Sequence, residues 1–369
     1  MIDRRVFSHI NWGLLGLVVL LFLIGAVNLY SASTLRGAAG LELDSYFNKQ
    51  MLWGGASFCV MMLCVTVDYR HFRGTAWPLF ILSLFLLLGV AVAGKTIYGA
   101  KRWLDLGFFN LQPTELAKIA VLILAAHLLS RMEIRLGWMS LAKVLLVGLI
   151  PAALIVKQPD LGSALSILLI LGGMVFFKGL QTGVFRIVLV LAPLCLPFGW
   201  FFLHDYQKQR ILTFLDPGND PLGAGYHIIQ SQIAIGSGGF WGKGFLEGTQ
   251  SQLRFLPEKH TDFAFAVFGE EWGFSGTMVL LILFCSFLYQ IYVVALEAKD
   301  EFGSCLCAGV FFYFFWQVLI NMGMVLGIMP VVGIPLPFIS YGGSASVVNF
   351  CMIGIVLNVA MRRFVFKKN

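Results

Sequence analysis

The chain has 369 residues, of which 59% are hydrophobic, 14% aromatic and only 12% charged, with a mean hydropathy of +0.84. Soluble domains carry about 25% charged residues, so half the usual charge cannot cover a water-exposed surface and a soluble globular protein is excluded. The 34 Phe and the long aliphatic runs exclude disorder, and the net charge of +7 contains no basic run long enough for a nucleic-acid arm. An all-α polytopic membrane protein remains.

A bilayer core about 30 Å thick takes roughly 20 apolar residues per helix. Segments of that kind fall at 12–30, 50–67 and 77–93, followed by a weaker one at 112–129 that carries Glu115, Lys118 and His127. Between Lys143 and Lys157 only 13 residues are available, so the flanking lysines must snorkel. Segments 161–177, 184–203, 272–295, 306–329 and 344–361 complete a set of ten transmembrane helices in a single domain, 1–369. Arg4 and Arg5 before the first run and Ser31 to Ser33 after it also fit a secretory signal, but the bundle can use this run as its first helix. The seven cysteines lie in or beside apolar runs, form no C-x-x-C pair and read as buried thiols.

Lys and Arg in the short loops set orientation. With the N terminus inside, the inner segments hold fourteen of them, including Arg4, Arg5, Lys367 and Lys368, and the short outer loops hold six. Counting acids the same way leaves the inner face at +8 and the outer face at −1. Both termini are therefore expected in the cytoplasm, and one long extracytoplasmic loop, 204–271, joins helices 7 and 8. No internal repeat marks a transporter.

Four features depart from plain lipid-facing helix. Glu115 and Lys118, at i and i+3, share one helical face after Gln112-Pro113; they are a mutually neutralised pair or a charged cavity wall. Asp160, in the turn Lys157-Gln158-Pro159-Asp160-Leu161-Gly162, stands where an N-cap belongs, and a further role stays open. The uncharged stretch 330–343 has three prolines and three glycines, cannot be a continuous helix, and must be buried in protein or line a cavity.

The long loop is the fourth feature, being far above the usual connection length. Its glycine-rich stretch 236–244 is similar in composition to a phosphate-binding loop but fails the Walker pattern, since Gly242-Lys243 is followed by Gly244. The loop ends with Glu258, His260 and Asp262 at the membrane interface, either solvated charge or a site. No metal signature accompanies them. These residues alone leave two classes open: a transporter whose charged pair and broken segments line a pathway, and an enzyme acting on a lipid-borne substrate at the outer face.

Six motifs occur in order: Lys101-Arg102-Trp103-Leu104-Asp105-Leu106-Gly107, Gln112-Pro113-Thr114-Glu115-Leu116-Ala117-Lys118, Gln158-Pro159-Asp160-Leu161-Gly162, Asp220-Pro221-Leu222-Gly223-Ala224-Gly225-Tyr226, and the stretches 256–263 and 333–343. Together they resemble the SEDS family (shape, elongation, division and sporulation) through essentially the whole chain. Stretches 242–244, 248–253 and 330–333 are more similar to the elongation branch, RodA, than to the division branch, FtsW. The resemblance implies a ten-helix peptidoglycan glycosyltransferase of the bacterial cytoplasmic membrane. It would polymerise lipid II onto a nascent glycan strand, together with a class B penicillin-binding protein and other membrane proteins of the elongation complex.

The family's essential acid falls on Asp262, in His260-Thr261-Asp262-Phe263; Ala264 stands where the family often has Ile. Its polar membrane residues fall on Glu115, Lys118 and Asp160. In the implied reaction a sugar hydroxyl needs a base, whereas the diphosphate leaves already charged and needs cations. Asp262 is the expected base, with a carboxyl pKa raised by burial or by Glu258. Lys101, Arg102, Lys118, Arg210 and Lys259 are the candidate diphosphate partners, and His260 lies beside them. A divalent cation could share the task of those cations, and no residue specifies one. The alternatives are translocation of lipid II across the membrane, the division-specific branch, and a scaffold for the penicillin-binding protein.

Overall fold

The computed structural model describes residues 10–37, 40–43, 45–97, 100–105, 107, 110–202, 205–219, 223–253, 255–256 and 258–363. Arg4, Arg5, His204, Lys367, Lys368, Leu106 and Asp220-Pro221-Leu222 lie outside them, as do both chain ends to which the cytoplasmic placement refers.

The chain is mostly helical. Its first three long helices are α1 (Trp12–Ser33), α2 (Ser45–Thr66) and α3 (His71–Ala93). They are followed by α4 (Pro113–Leu129), α5 (Trp138–Val156), α6 (Leu161–Lys178) and α7 (Thr182–Phe202). Two shorter helices, α8 (Asp205–Leu215) and α9 (Ala224–Gly238), precede α10 (Ala264–Leu296), α11 (Glu301–Val325) and α12 (Gly343–Arg362).

Among the described residues seven of these helices, α1, α3, α5, α6, α10, α11 and α12, are long and apolar enough to cross a membrane. This is a multi-pass membrane protein. The remaining expected segments are helical as α2, α4 and α7. Trp138 begins α5 well before Lys143, so that helix gains length and Lys143 sits exposed in its second turn.

Depth within the bundle follows from how much of each helix is covered. In α12 and α11, 78% and 67% of the apolar window is buried, against 28% in α3, so α11 and α12 are central and α3 is peripheral. α2 packs along α12, α3 along α4, and α11 against α6 and α10. The face that remains is apolar too, as Leu63, Phe85, Val92 and Phe176 show, which suits lipid instead of water. For the same reason the cysteines divide: Cys305 and Cys307 are buried, whereas Cys59 and Cys285 are exposed on this face, correcting the expectation that all are buried. A thiol is apolar enough to face lipid as readily as a core.

At one end, ion pairs tie the connections together. Asp300 takes Arg73 and the Tyr69 hydroxyl, and Arg362 pairs with Asp68. The opposite end departs from the expected all-α architecture. β1 (Thr34–Gly37) and β2 (Gly40–Leu43) form an antiparallel hairpin, and β3 (Lys95–Ile97), β4 (Ala100–Asp105) and β5 (Asn110–Leu111) form a three-stranded sheet. Short connections that leave a helix and return nearby satisfy their backbone by pairing with themselves. The expected long loop is also largely ordered, since it contains α8, α9 and the helical turn Thr249–Gln252.

The helix expected from Trp272 begins eight residues earlier, at Ala264, and is broken at Gly273 (φ 64, ψ −162). The glycine-rich stretch fills the break. Lys243 and Gly244 N–H donate to the carbonyls of Glu270 and Glu271, both at 3.0 Å, while Phe274 and Ser275 N–H donate to Gly239 and Phe240 carbonyls at 2.9 and 3.0 Å. The orphaned groups of two helix ends are thereby satisfied by a loop instead of by water. This is why the segment is rich in glycine without being a phosphate loop: at Gly242 (φ 83) a Cβ would collide with the Glu271 carbonyl. Gly242→Ala combines that collision with a left-handed backbone, a strain of about 1–3 kcal/mol. The variant is expected to melt at lower temperature in detergent than the parent protein.

Candidate active site

Asp262 sits in a turn just ahead of α10. Thr261 and Phe263 N–H both donate to the Glu258 carbonyl, at 3.1 and 3.3 Å, and the Thr261 hydroxyl donates to Glu258 Oε2 at 3.0 Å. Asn321 of α11, fully buried, donates its amide to the Asp262 carbonyl at 3.0 Å and to the Ile334 carbonyl at 2.8 Å. One side chain therefore fastens the turn to the proline-rich segment. A second fastening comes from Tyr341 N–H, which donates to the His260 carbonyl at 2.8 Å, and the His260 ring stacks on Tyr46 at 4.7 Å.

The stretch 330–340 is non-helical, as its prolines require, and it gathers the polar residues. A Cβ on Gly333 would stand 3.3 Å from Asp262 Oδ2, so the carboxylate lies directly over that backbone. Arg210 of α8 donates to the Val331 carbonyl at 3.3 Å. The Val332 carbonyl packs against Gly162, in the first turn of α6. Asp160 caps that helix, accepting from Ser163 N–H at 3.2 Å and the Ser163 hydroxyl at 2.8 Å. Arg102, half-buried on β4, donates to the Pro159 carbonyl, and Lys101 beside it is exposed.

Burial pushes the Asp262 carboxyl up to about 6 from its usual 3.8; Glu258 and, more weakly, Asp160 add to the rise, and Arg210 opposes it. Three anionic or cationic neighbours from three separate elements thus act on one carboxylate. A raised carboxyl destabilises the folded state when ionised: stability is full below about pH 3.8, falls as pH rises through about 6, and stays lower above it. Allowing for solvent at this half-buried position, the deficit is of order 1–3 kcal/mol. Asp262→Asn is therefore expected to melt at higher temperature than the parent at pH 8, with the gain shrinking as pH falls below 6.

The Glu115–Lys118 pair is 2.6 Å long and buried. The Lys118 ammonium lies 5.5 Å from the Tyr313 ring centroid, and the Tyr313 hydroxyl donates to Asn349 at 2.8 Å. Tyr313 precedes Asn321 by eight residues on α11, so the pair is recessed below the Asp262 turn by roughly 12 Å. Glu115 Oε2 and the Thr114 hydroxyl have no partner among the described residues. Lys259 departs from the expected cation wall: it is buried, and its ammonium donates to the Ser251 carbonyl at 2.9 Å. Among the described residues no three His, Cys, Asp or Glu gather as a metal would need.

A family model described as cell cycle protein, FtsW/RodA/SpoVE, matches residues 12–364. The chain belongs to this family. Escherichia coli (strain K12) peptidoglycan glycosyltransferase MrdB is 42% identical over 355 residues, covering 95% of each chain. A probable peptidoglycan glycosyltransferase FtsW of Geobacter sp. (strain M18) is 39% identical, covering 97% of this chain and 98% of that one. Among solved structures, a chain from a peptidoglycan synthase complex, described for its coordination of polymerization and crosslinking, superposes with a TM-score of 0.82 at 33% identity, over 96% and 98% of the two chains. Thermus thermophilus rod shape determining protein RodA superposes at 0.71 with 29% identity, over 97% and 98%.

Three residues of this family member escaped the sequence reading. Asn321 is an uncharged amide in the apolar run 306–329, and an intramembrane polar residue is itself a signal. Glu270 falls in the last residues of the loop 204–271, ahead of the span expected from Trp272, where nothing local sets it apart. Tyr46 carries no local mark at all, since only the fold brings it to His260.

Proposed function

We propose that this peptidoglycan glycosyltransferase polymerises lipid II into glycan strands at the outer face of the bacterial cytoplasmic membrane during cell elongation, with Asp262 as the general base. The observation that carries the reading is the setting of the Asp262 carboxylate: it lies over the Gly333 backbone in a turn that Asn321 ties to the non-helical 330–340 segment, and burial there pushes it up to about 6, so it is ionised at neutral pH yet basic enough to take a proton. The attacking sugar hydroxyl loses its proton to Asp262 as its oxygen bonds C1 of the donor sugar, and the C1–O bond to the polyprenyl diphosphate breaks. That leaving group departs as an anion and needs no general acid. Arg210, Arg102 and Lys101 supply positive charge along its path, with Lys118 deeper in the bundle. Lys259, turned toward Ser251, serves the loop instead, and His260 borders the acceptor side. Asp160 combines its capping role with the field around Asp262.

The reading places ten spans in the membrane, both termini in the cytoplasm, and the strands, 204–271 and 330–343 outside; the charge asymmetry of the short loops supports it. A class B penicillin-binding protein is the proposed partner, with other elongation-complex membrane proteins. Support comes from the solved relative that is part of a peptidoglycan synthase complex.

The test uses purified protein and lipid II in detergent, where no second compartment exists. Strand formation, alone or with the penicillin-binding protein, is expected. Transfer of lipid II between leaflets of a vesicle without any polymer would instead establish translocation. Rounding of depleted cells fits elongation, whereas filamentation would assign the protein to division.

A further inference from the structure

Glu270 is fully buried, belongs to neither the base nor the cation wall, and ends a helix, where the backbone dipole disfavours negative charge. Its carboxylate is compensated from a single direction. Oε1 accepts from Lys243 Nζ at 2.8 Å, the Thr249 hydroxyl at 3.1 Å and Gln250 N–H at 2.9 Å, and Oε2 accepts from Ser251 N–H at 3.3 Å. All four donors come from residues 243–251. At Gly248 a Cβ would stand 2.9 Å from Oε2, so the backbone is drawn against the carboxylate.

Ser251, held by its N–H, presents its carbonyl to Lys259 Nζ at 2.9 Å. Lys259 lies inside the turn whose hydrogen bonds to Glu258 set the direction of Asp262. The connection thus runs from Glu270, at the end of the short helix 264–271, through Ser251 and Lys259, back to the turn that starts the same helix. Asn321 fastens this turn from the opposite side. Tyr341 N–H, bonded to the His260 carbonyl, holds the turn to the same 330–341 side as Asn321, so without Lys259 the turn is held from that side alone and can tilt away from residues 248–251.

We infer that Glu270 is a positioning residue for Asp262, acting through the Ser251 carbonyl and Lys259 to hold the base against the 330–334 backbone. The inference rests on Asp262 being the base. Exchanging Glu270 for Gln keeps its shape but turns an NH2 group toward donors that need an acceptor. Loosening the turn lets water reach Asp262 and moves it relative to Glu258, Asp160 and Arg210, the charged groups that act on it.

The experiment follows the pH dependence of lipid II polymerisation by the full chain with its penicillin-binding protein partner. Glu270→Gln is expected to lower kcat at pH 7 by roughly tenfold or more, with KM within about twofold, and to move the acid limb of the kcat profile to lower pH. Lys259→Met should move the limb in the same direction, and the double variant should lose no more than the worse single one, as members of one chain do. Thr249→Val, which removes one exposed donor, tests the same path with a smaller shift if Glu270→Gln does not fold. An acid limb that stays in place in Glu270→Gln, or in Thr249→Val when that alone folds, with only the melting temperature reduced, makes Glu270 purely structural and overturns the inference. Polymerisation by Asp262→Asn would instead overturn the assignment of the base, so the two failures are separately visible.

Discussion

Asp262→Asn is expected to lower the kcat of glycan polymerisation by the purified protein roughly 10²–10⁴-fold, the range a positioned base contributes. Asn has the same shape and can still lie over Gly333, so loss of packing does not enter. What it lacks is a site for the proton of the attacking hydroxyl. In the parent protein the rate should rise with pH through about 6, because a base works only when ionised and burial, then Glu258, hold the carboxyl there. Glu258→Gln removes the second of these causes and should shift that acid limb down.

The stability of the same variant makes the result decisive. Since the ionised carboxylate is unfavourable in the folded state above about pH 6, Asp262→Asn should be at least as stable as the parent at pH 8 while inactive. Full polymerisation by a stable Asp262→Asn protein would remove Asp262 from the reaction.

How much of this is legible without coordinates depends on whether the signal is local. The membrane helices are, because an apolar run of span length has few other uses. Asp160 as a cap is also local, needing only Ser163 three residues on. The broken segment 330–340 follows from its prolines. The break at Gly273 is not, because neighbouring residues 264–272 and 274–296 both favour helix and the interruption exists only because Gly239 to Gly244 insert there. Lys259 illustrates the same limit: in the sequence it is one more cation beside Asp262, and only the return of residues 248–251 gives its ammonium the Ser251 carbonyl. Asn321 lay between these extremes, conspicuous by polarity but meaningless until its two carbonyl partners, 72 apolar-rich residues apart in the region 262–334, were in place.

Lys118→Glu should produce the second large effect, and here stability and activity must be separated. The substitution puts two carboxylates in a buried space and removes the cation over Tyr313; breaking a buried pair in this way costs about 3–5 kcal/mol. Poor folding alone would therefore not reveal a role in the reaction. The neutral double variant Glu115→Gln/Lys118→Met does, because replacing both members of a buried pair is often close to neutral for stability. It should fold and melt near the parent yet polymerise lipid II at least about tenfold more slowly, since the diphosphate loses a charge-assisted partner that only a cation provides. A double variant as active as the parent would return Glu115 and Lys118 to simple mutual neutralisation and leave the leaving group to Arg210, Arg102 and Lys101.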